Sequence, residues 1–177
     1  MSDLSTRDAR RRFEVLCVPF VADLNRFVYW LCHDRILAED VVQETLLRAW
    51  RSLDSLREEG AARHWLLTIA RRELARVFER KRTPTIDIED AENLQTGEAT
   101  VGDRYDIHAM RRAIFELPLL YREPLVLQML FGYSVEEIAG QLQLSVTGVL
   151  TRLYRARQIL HARLRPDTAP SRCADAL

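Results

Sequence analysis

The sequence contains few of the features that metal sites and catalytic motifs need. Its three cysteines form no CxxC pair and no ligand spacing typical of zinc, and no glycine-rich phosphate loop is present. Four histidines are scattered along the chain without a recognisable nucleophile motif. An enzyme is therefore the least favoured class, and we expect no metal, no cofactor and no small-molecule substrate.

Long apolar runs are also missing. No uninterrupted apolar segment approaches the roughly 20 residues of a membrane-spanning helix. The N-terminal segment "MSDLSTRDARRR" lacks the apolar stretch of a signal peptide. An odd number of scattered cysteines is typical of a reducing compartment. These features predict a soluble, cytoplasmic protein.

Lysine is nearly absent, since Lys81 is the only lysine among 26 basic residues. Arginine makes bidentate contacts with phosphate and guanine, which favours nucleic-acid binding, although a GC-rich genome would also favour arginine codons. The net charge of zero conceals an uneven distribution. Residues 83–103 carry six acids and no base, whereas the segments on either side are net basic. The charge pattern therefore predicts two basic regions separated by an acidic one.

Helical periodicity dominates the sequence, which predicts an all-α fold. Helical patterns run from about Thr6 to Cys32, with Pro19 as a candidate break, from Ala38 to Leu53, and from Ala61 to Arg82. They resume near Tyr105, where Pro118 and Pro124 are expected to divide them into short pieces.

These patterns predict two small helical domains. The first occupies residues 1–82 and the second residues 105–165. Between them, residues 83–104 are rich in acids, proline and glycine, which predicts a flexible acidic linker. Residues 166–177 are predicted to be a disordered tail.

The helix predicted in "AEDVVQETLLRAWRSL" carries an unusual outer face. An inner apolar stripe comprises Val42, Leu46, Ala49 and Leu53. The opposite face places Leu47 among charged residues. An exposed leucine there is consistent with a protein-docking face, and also with an ordinary solvated face.

The helix predicted in "AARHWLLTIARRELARVFERKR" places Trp65, Arg72 and Arg76 close to one line along its surface. Aromatic surface beside arginine suits single-stranded nucleic acid, because bases stack and phosphates pair. A core tryptophan flanked by solvated arginines would give the same pattern.

The segment "YSVEEIAGQLQLSVTGVLTRLYRARQIL" predicts two helices joined by a tight turn. Ser134 and Glu137 form a capping-box pattern, the chain breaks at Gln143, and Ser145 is a suitable N-cap for the next helix. The buried stripe of that helix is predicted to comprise Val146, Val149, Leu153, Ala156 and Leu160. Its free face bears hydroxyl and arginine side chains, which favours a DNA-binding helix-turn-helix over a plain helical hairpin.

Taken together, these segments resemble the extracytoplasmic-function sigma factors, the smallest class of the sigma-70 family. "AEDVVQETLLRAWRSL" resembles the family's docking helix, and "ARHWLLTIARRELAR" resembles its promoter-melting helix. "LPLLYREPLVLQMLFGYSVEEIAGQLQLSVTGVLTRLYRARQIL" resembles its second domain. The similarity covers about residues 12–165.

The resemblance implies three binding surfaces and three partners. The expected contacts with the β′ clamp of core RNA polymerase are Asp40, Gln43, Glu44, Leu47 and Arg48. The expected contacts with the melted −10 strand of promoter DNA are Trp65, Arg71, Arg72 and Arg76, together with the loop at about 54–63. The expected contacts with the −35 duplex are Ser145, Thr147, Thr151, Arg152 and Arg155, in a domain that would also touch the β flap. Such factors are generally inhibited by an anti-sigma factor, which is often membrane-bound.

The sequence departs from the family pattern at several positions. Arg72 stands where asparagine is usual, Leu150 replaces a lysine often near the phosphate backbone, and Gln143 replaces the common turn glycine. A left-handed glutamine costs about 1 kcal/mol. These differences leave the preferred promoter sequence open.

Two other classes of protein compete with this interpretation. A stand-alone helix-turn-helix regulator would need an effector or dimerisation domain at its N-terminus, where this chain carries the two helices described above. A helical adaptor would need no nucleic-acid surface.

Overall fold

The computed structural model describes the backbone of residues 2–82 and 101–164 and the side chains of residues 7–80 and 107–164. The described residues are helical and contain no β-strand, which confirms the all-α prediction. Most of the predicted acidic linker and the predicted tail lie outside the described residues.

The first domain consists of α1 (Ser2–Cys17), α2 (Val21–Cys32), α3 (Arg35–Arg51) and α4 (Ala62–Arg82). Pro19 lies in a short 3₁₀ turn between α1 and α2, as its position predicts. Helix α3 begins three residues before the predicted start, because Asp34 caps it. The N–H of Leu37 donates to Asp34 Oδ1 over 3.0 Å.

The second domain consists of α5 (Val101–Phe115), α6 (Leu119–Phe131), α7 (Val135–Leu142) and α8 (Val146–Leu164). Helix α5 begins four residues before Tyr105, so the last residues assigned to the linker are helical. The expectation that Pro124 divides its helix is wrong, since it lies inside α6. Pro124 cannot donate to the carbonyl of Leu120, but Leu120 is exposed and water can satisfy that carbonyl.

The helix-turn-helix of α7 and α8 forms as the sequence predicts. The N–H of Glu137 donates to Ser134 Oγ over 3.2 Å, and the N–H of Ser134 donates to Glu137 Oε2 over 2.7 Å, which completes the capping box. Gln143 adopts the left-handed conformation at φ 55°. The N–H of Gly148 donates to Ser145 Oγ over 3.1 Å, so Ser145 caps α8.

The apolar stripes pack into a core that runs through both domains. The stripe predicted for α8 is buried except for Val146, which is 41% exposed. That part of the prediction is wrong, because Val146 is the first residue of α8 and burial begins only at Val149.

The stretch Arg7–Cys32 is long and apolar enough, by length and composition alone, to cross a membrane. Core helices of globular proteins satisfy the same criterion. Its residues Leu24, Phe27, Val28 and Leu31 are buried in the helical core. The packing therefore accounts for the α2 part of this stretch as a core element, whereas Val15 and Val18 are exposed.

Candidate nucleic-acid interface

The outer face of α3 carries the residues expected to dock on a protein. Asp40 and Gln43 are exposed, and Leu47 is 51% exposed. Trp50, which the sequence analysis did not select, is 40% exposed and makes an edge-to-face contact with Phe13 at a centroid distance of 5.4 Å. An exposed leucine and tryptophan three positions apart form an apolar patch on this helix. The spacing of Leu47 and Trp50 could have revealed the patch from sequence.

Glu44 and Arg48 are partly occupied by contacts within the first domain. Arg48 Nε lies 2.9 Å from Oε1 of Glu44 and 2.9 Å from Oε1 of the buried Glu73 on α4. Glu73 Oε1 also lies 2.7 Å from Nη1 of Arg76. One buried carboxylate therefore links α3 to α4.

Helix α4 presents its candidate strand-binding residues unequally. Arg72 and Arg76 are exposed, whereas Trp65 is half-buried and packs against the core. Arg71 is directed toward the second domain, where its Nε lies 2.7 Å from Oε1 of Glu123 on α6. The structure therefore exposes Arg72 and Arg76 to solvent, with Arg76 also paired to Glu73, and uses Arg71 in a contact between the domains.

Glu123 is a buried acid that the sequence analysis did not select. Burial raises the pKa of its carboxyl, and the nearby charges of Arg71 and then Arg152 oppose that rise. Glu123 lies within the mainly apolar segment that forms α6. No sequence pattern around it indicates a functional role.

The loop between α3 and α4 is held by α1. Arg12 Nη2 donates to the carbonyl oxygen of Leu56 over 3.1 Å. Its Nε lies 3.5 Å from a carboxylate oxygen of Glu59, and Nη1 lies 3.9 Å from one of Asp54. The loop expected to contact the −10 strand is therefore fixed by a residue 44 positions away from Leu56 in the sequence.

Helix α8 carries the residues expected to contact duplex DNA. Ser145, Thr147, Thr151 and Arg155 are exposed, and Arg152 is half-buried on the side of Glu123. The Thr151 hydroxyl donates to the carbonyl of Thr147 over 2.8 Å, which leaves its oxygen free to accept.

Leu150 and Tyr154 add apolar surface to the same helix, at 51% and 59% exposure. A capped helix that follows a tight turn and presents hydroxyl and arginine groups can enter a major groove with its N-terminal half. The fold and these faces are those of a helical DNA-binding protein with two domains.

Comparison with known proteins identifies the family. The chain matches the family model of sigma-70 region 2 over residues 19–83 and that of sigma-70 region 4 over residues 107–160. It is 30% identical to the RNA polymerase sigma-H factor of Pseudomonas aeruginosa, over 90% of each chain. It is 34% identical to the ECF RNA polymerase sigma factor EcfG of Rhodopseudomonas palustris, over 84% of this chain and 83% of that protein. The ECF sigma-E factor of Escherichia coli is 32% identical over 72% of this chain and 73% of its own.

Solved structures support the same relationship. The sigma factor RpoE of Bartonella quintana, solved with the anti-sigma factor NepR, is 26% identical with a TM-score of 0.66, over 88% of this chain and 98% of its own. CnrH, solved with the cytosolic domain of CnrY, is 25% identical with a TM-score of 0.63, over 90% and 93%. This chain therefore belongs to the extracytoplasmic-function sigma factors of the sigma-70 family. Sigma factors are non-enzymatic regulators of transcription initiation.

Proposed function

We propose that the chain directs core RNA polymerase to specific promoters in the cytoplasm, without a catalytic step of its own. The outer face of α3 docks on the β′ clamp, α4 and the loop before it receive the melted −10 strand, and α8 enters the −35 duplex. The order of these three surfaces along the chain, inside the two matched sigma-70 regions, carries the proposal.

The exposure of each surface supports its assignment. Leu47 and Trp50 give α3 an apolar patch beside Asp40 and Gln43, which suits a protein partner. The matched region 2 occupies the part of the chain where a stand-alone helix-turn-helix regulator would carry its effector or dimerisation domain. The regulator is therefore disfavoured.

Core binding tests the docking surface. The double variant Asp40→Ala, Gln43→Ala should bind purified core polymerase at least about tenfold more weakly, as loss of two charged or polar interface contacts implies. Its circular dichroism spectrum should not change, because both side chains are exposed. Glu136→Ala, an exposed acid on α7, serves as the control. Undiminished affinity of the double variant would refute the docking assignment.

An anti-sigma factor is the proposed inhibitor. The structure of the related Bartonella quintana factor with NepR supports a partner of this class. A tagged chain recovered from its own host under non-inducing conditions should carry such a partner. Adding the purified partner should abolish binding to core polymerase, and unaltered core binding would contradict the proposal.

A further inference from the structure

One side of α4 is occupied by the second domain. The Gln141 side chain on α7 is 2% exposed, and its Nε2 donates to Thr68 Oγ1 over 3.0 Å and to the His64 carbonyl oxygen over 3.3 Å. Seven positions after His64, Arg71 pairs with Glu123 over 2.7 Å. Because His64, Thr68 and Arg71 recur at helical spacing, they form one stripe along α4. This α4 stripe faces α6 and α7.

Aromatic contacts extend the same junction on both sides of the stripe. The guanidinium carbon of Arg63 lies 4.7 Å from the ring centroid of Phe131, and Phe131 contacts Phe27 edge-to-face at 5.9 Å. At the far end, Phe115 stacks on His33 at 3.7 Å and on Trp30 at 4.8 Å. The second domain therefore packs directly against α2 and α4.

We infer that α6 and α7 compete with single-stranded promoter DNA for the α4 stripe. The pair between Arg71 Nε and Glu123 Oε1 at 2.7 Å directs the guanidinium toward α6 and places a carboxylate beside it. A DNA phosphate that approaches Arg71 in this arrangement is repelled by the charge of Glu123. A base or phosphate also cannot reach Thr68 while Gln141 covers it. This inference rests on the proposed role of α4 in binding the −10 strand.

We call the arrangement in which α6 and α7 cover the α4 stripe the closed form. It buries polar groups whose hydrogen bonding is incomplete, and this free-energy cost favours a reversible contact between the domains. Within the described residues, Oε1 of Gln141 and Nε of Arg63 are buried without a hydrogen-bond partner. The carboxylate of Glu123 is also buried, and its 7% exposure leaves Arg71 as its hydrogen-bonded partner. Each of these groups is desolvated in this arrangement without full compensation. A ligand that binds the open form can therefore shift the population by mass action.

Strand binding to the full-length chain tests the competition. The probe is a short fluorescein-labelled single-stranded DNA of randomised sequence, followed by fluorescence anisotropy. Glu123→Ala should raise affinity about tenfold, and Gln141→Ala several-fold without any change in charge. Glu116→Ala removes the same charge from the second domain but breaks only the pair with Arg163 at 2.9 Å, so it should leave affinity unchanged.

Small-angle X-ray scattering gives a second readout on the same proteins. The radius of gyration should increase in Glu123→Ala and Gln141→Ala, and also when single-stranded DNA is added to the wild type. Circular dichroism confirms that each variant keeps its helices. Unchanged affinity and radius in both variants would overturn the competition.

A further variant separates this inference from the proposed function. Arg71→Ala in the Glu123→Ala background should lower strand affinity if α4 binds the strand. Suppose that Arg71→Ala lowers affinity for single-stranded DNA but Glu123→Ala alone does not change it. The −10 assignment of α4 then stands, and the proposed competition fails. If Arg71→Ala does not change strand affinity in the Glu123→Ala variant, the −10 assignment of Arg71 fails, and the proposed competition fails with it.

Discussion

Arg48 of α3 and Glu73 of α4 form an ion pair with an Nε–Oε1 distance of 2.9 Å, and Glu73 is only 6% exposed. The same carboxylate oxygen contacts Arg76 over 2.7 Å. The proposed polymerase-docking face and the proposed strand-binding face therefore share one buried charge. A substitution of Glu73 should therefore alter the positions of Arg48 and Arg76 together.

Glu73→Gln should lower the free energy of unfolding by about 1–2 kcal/mol, because it replaces the charge-assisted hydrogen bond from Arg76 and the ion pair with Arg48 by neutral contacts. The loss is below that of a fully buried pair, since Arg48 and Arg76 keep access to water. Affinity for core polymerase and for single-stranded DNA should fall together. Urea unfolding measures the first effect, and anisotropy the second. Glu79→Gln, an exposed acid on α4, should change neither, and an unaltered Glu73→Gln would refute the shared role.

Arg12→Ala should weaken single-stranded DNA binding several-fold while leaving core affinity unchanged. The substitution frees the Leu56 carbonyl and releases the loop that precedes α4, without touching α3. Arg11→Ala makes the same charge change at an exposed position and is the matched control. If Arg12→Ala and Arg11→Ala lose the same affinity for single-stranded DNA, the loss reflects the removed positive charge and not the loop contacts. Arg12→Lys should restore little, because it lacks the planar fork that contacts the loop at three points.

Gln143→Gly should stabilise the protein by about 0.5–1 kcal/mol, because glycine adopts φ 55° without the steric cost that glutamine incurs. The greater entropy of glycine in the unfolded chain offsets part of this gain. Thermal unfolding measures the change. Gln158→Gly, at an exposed position inside α8, should instead destabilise by about 1 kcal/mol. A loss of stability in Gln143→Gly would contradict the strain argument.

Leu150→Lys should strengthen duplex binding by the polymerase holoenzyme and make it more sensitive to salt. Leu150 is 51% exposed on the face proposed to approach the −35 element. One new phosphate contact should steepen the slope of log affinity against log salt by about one unit. Gln158→Lys, at an exposed position eight residues beyond Leu150 on α8, tests whether any added charge has the same effect. An unchanged slope for Leu150→Lys would place this position away from the DNA backbone.

The contact between His33 and Phe115 predicts a pH dependence. Partial desolvation of the ring, which belongs to an otherwise exposed residue, followed by the charge of Arg122, lowers the pKa of His33 below its ordinary value of 6.5. A lowered pKa means that the neutral ring stabilises the closed form above pH 6.5, and this contribution is lost as pH falls through the lowered pKa.

Glu123 responds to pH in the opposite sense. Its raised pKa makes a stabilising contribution that is present below its ordinary value of 4.5 and is lost as pH rises through the raised value. His33→Phe keeps the stacking on Phe115 and removes the titration of His33. The difference in melting temperature between wild type and His33→Phe should therefore grow from pH 7.5 to pH 5.5, values chosen to bracket the ordinary histidine pKa of about 6.5. A constant difference would exclude His33 as the titrating group.

Local structure could be predicted closely from the sequence. Three local features depend only on neighbouring residues and can therefore be predicted from the sequence. They are the capping box of Ser134 and Glu137, the left-handed Gln143 and the break at Pro19. Helical periodicity also identified most of the buried stripes. It failed at Val146, which is exposed at the first position of α8, and at Pro124, which lies inside α6 without ending it.

The junction between the domains could not be predicted in this way. Gln141 contacts Thr68 across 73 positions, and Arg71 contacts Glu123 across the linker. Such pairs depend on how two domains meet, and periodicity within one helix carries no information about that. The same reason explains why Arg12 was not selected, since its partners lie in a loop of another part of the first domain. Arg71 was selected for its helix and family pattern, but its partner in the second domain was not foreseen.

Transcription from a promoter library measures whether the protein confers promoter recognition on core polymerase. Purified core polymerase is supplied with the protein and with templates randomised at the −35 and −10 positions, and the transcripts are sequenced. We predict transcripts that require the protein and templates enriched in two sequence elements at a fixed spacing. No protein-dependent transcript, together with no comigration of the protein with core polymerase, would contradict its assignment as a promoter-recognition subunit.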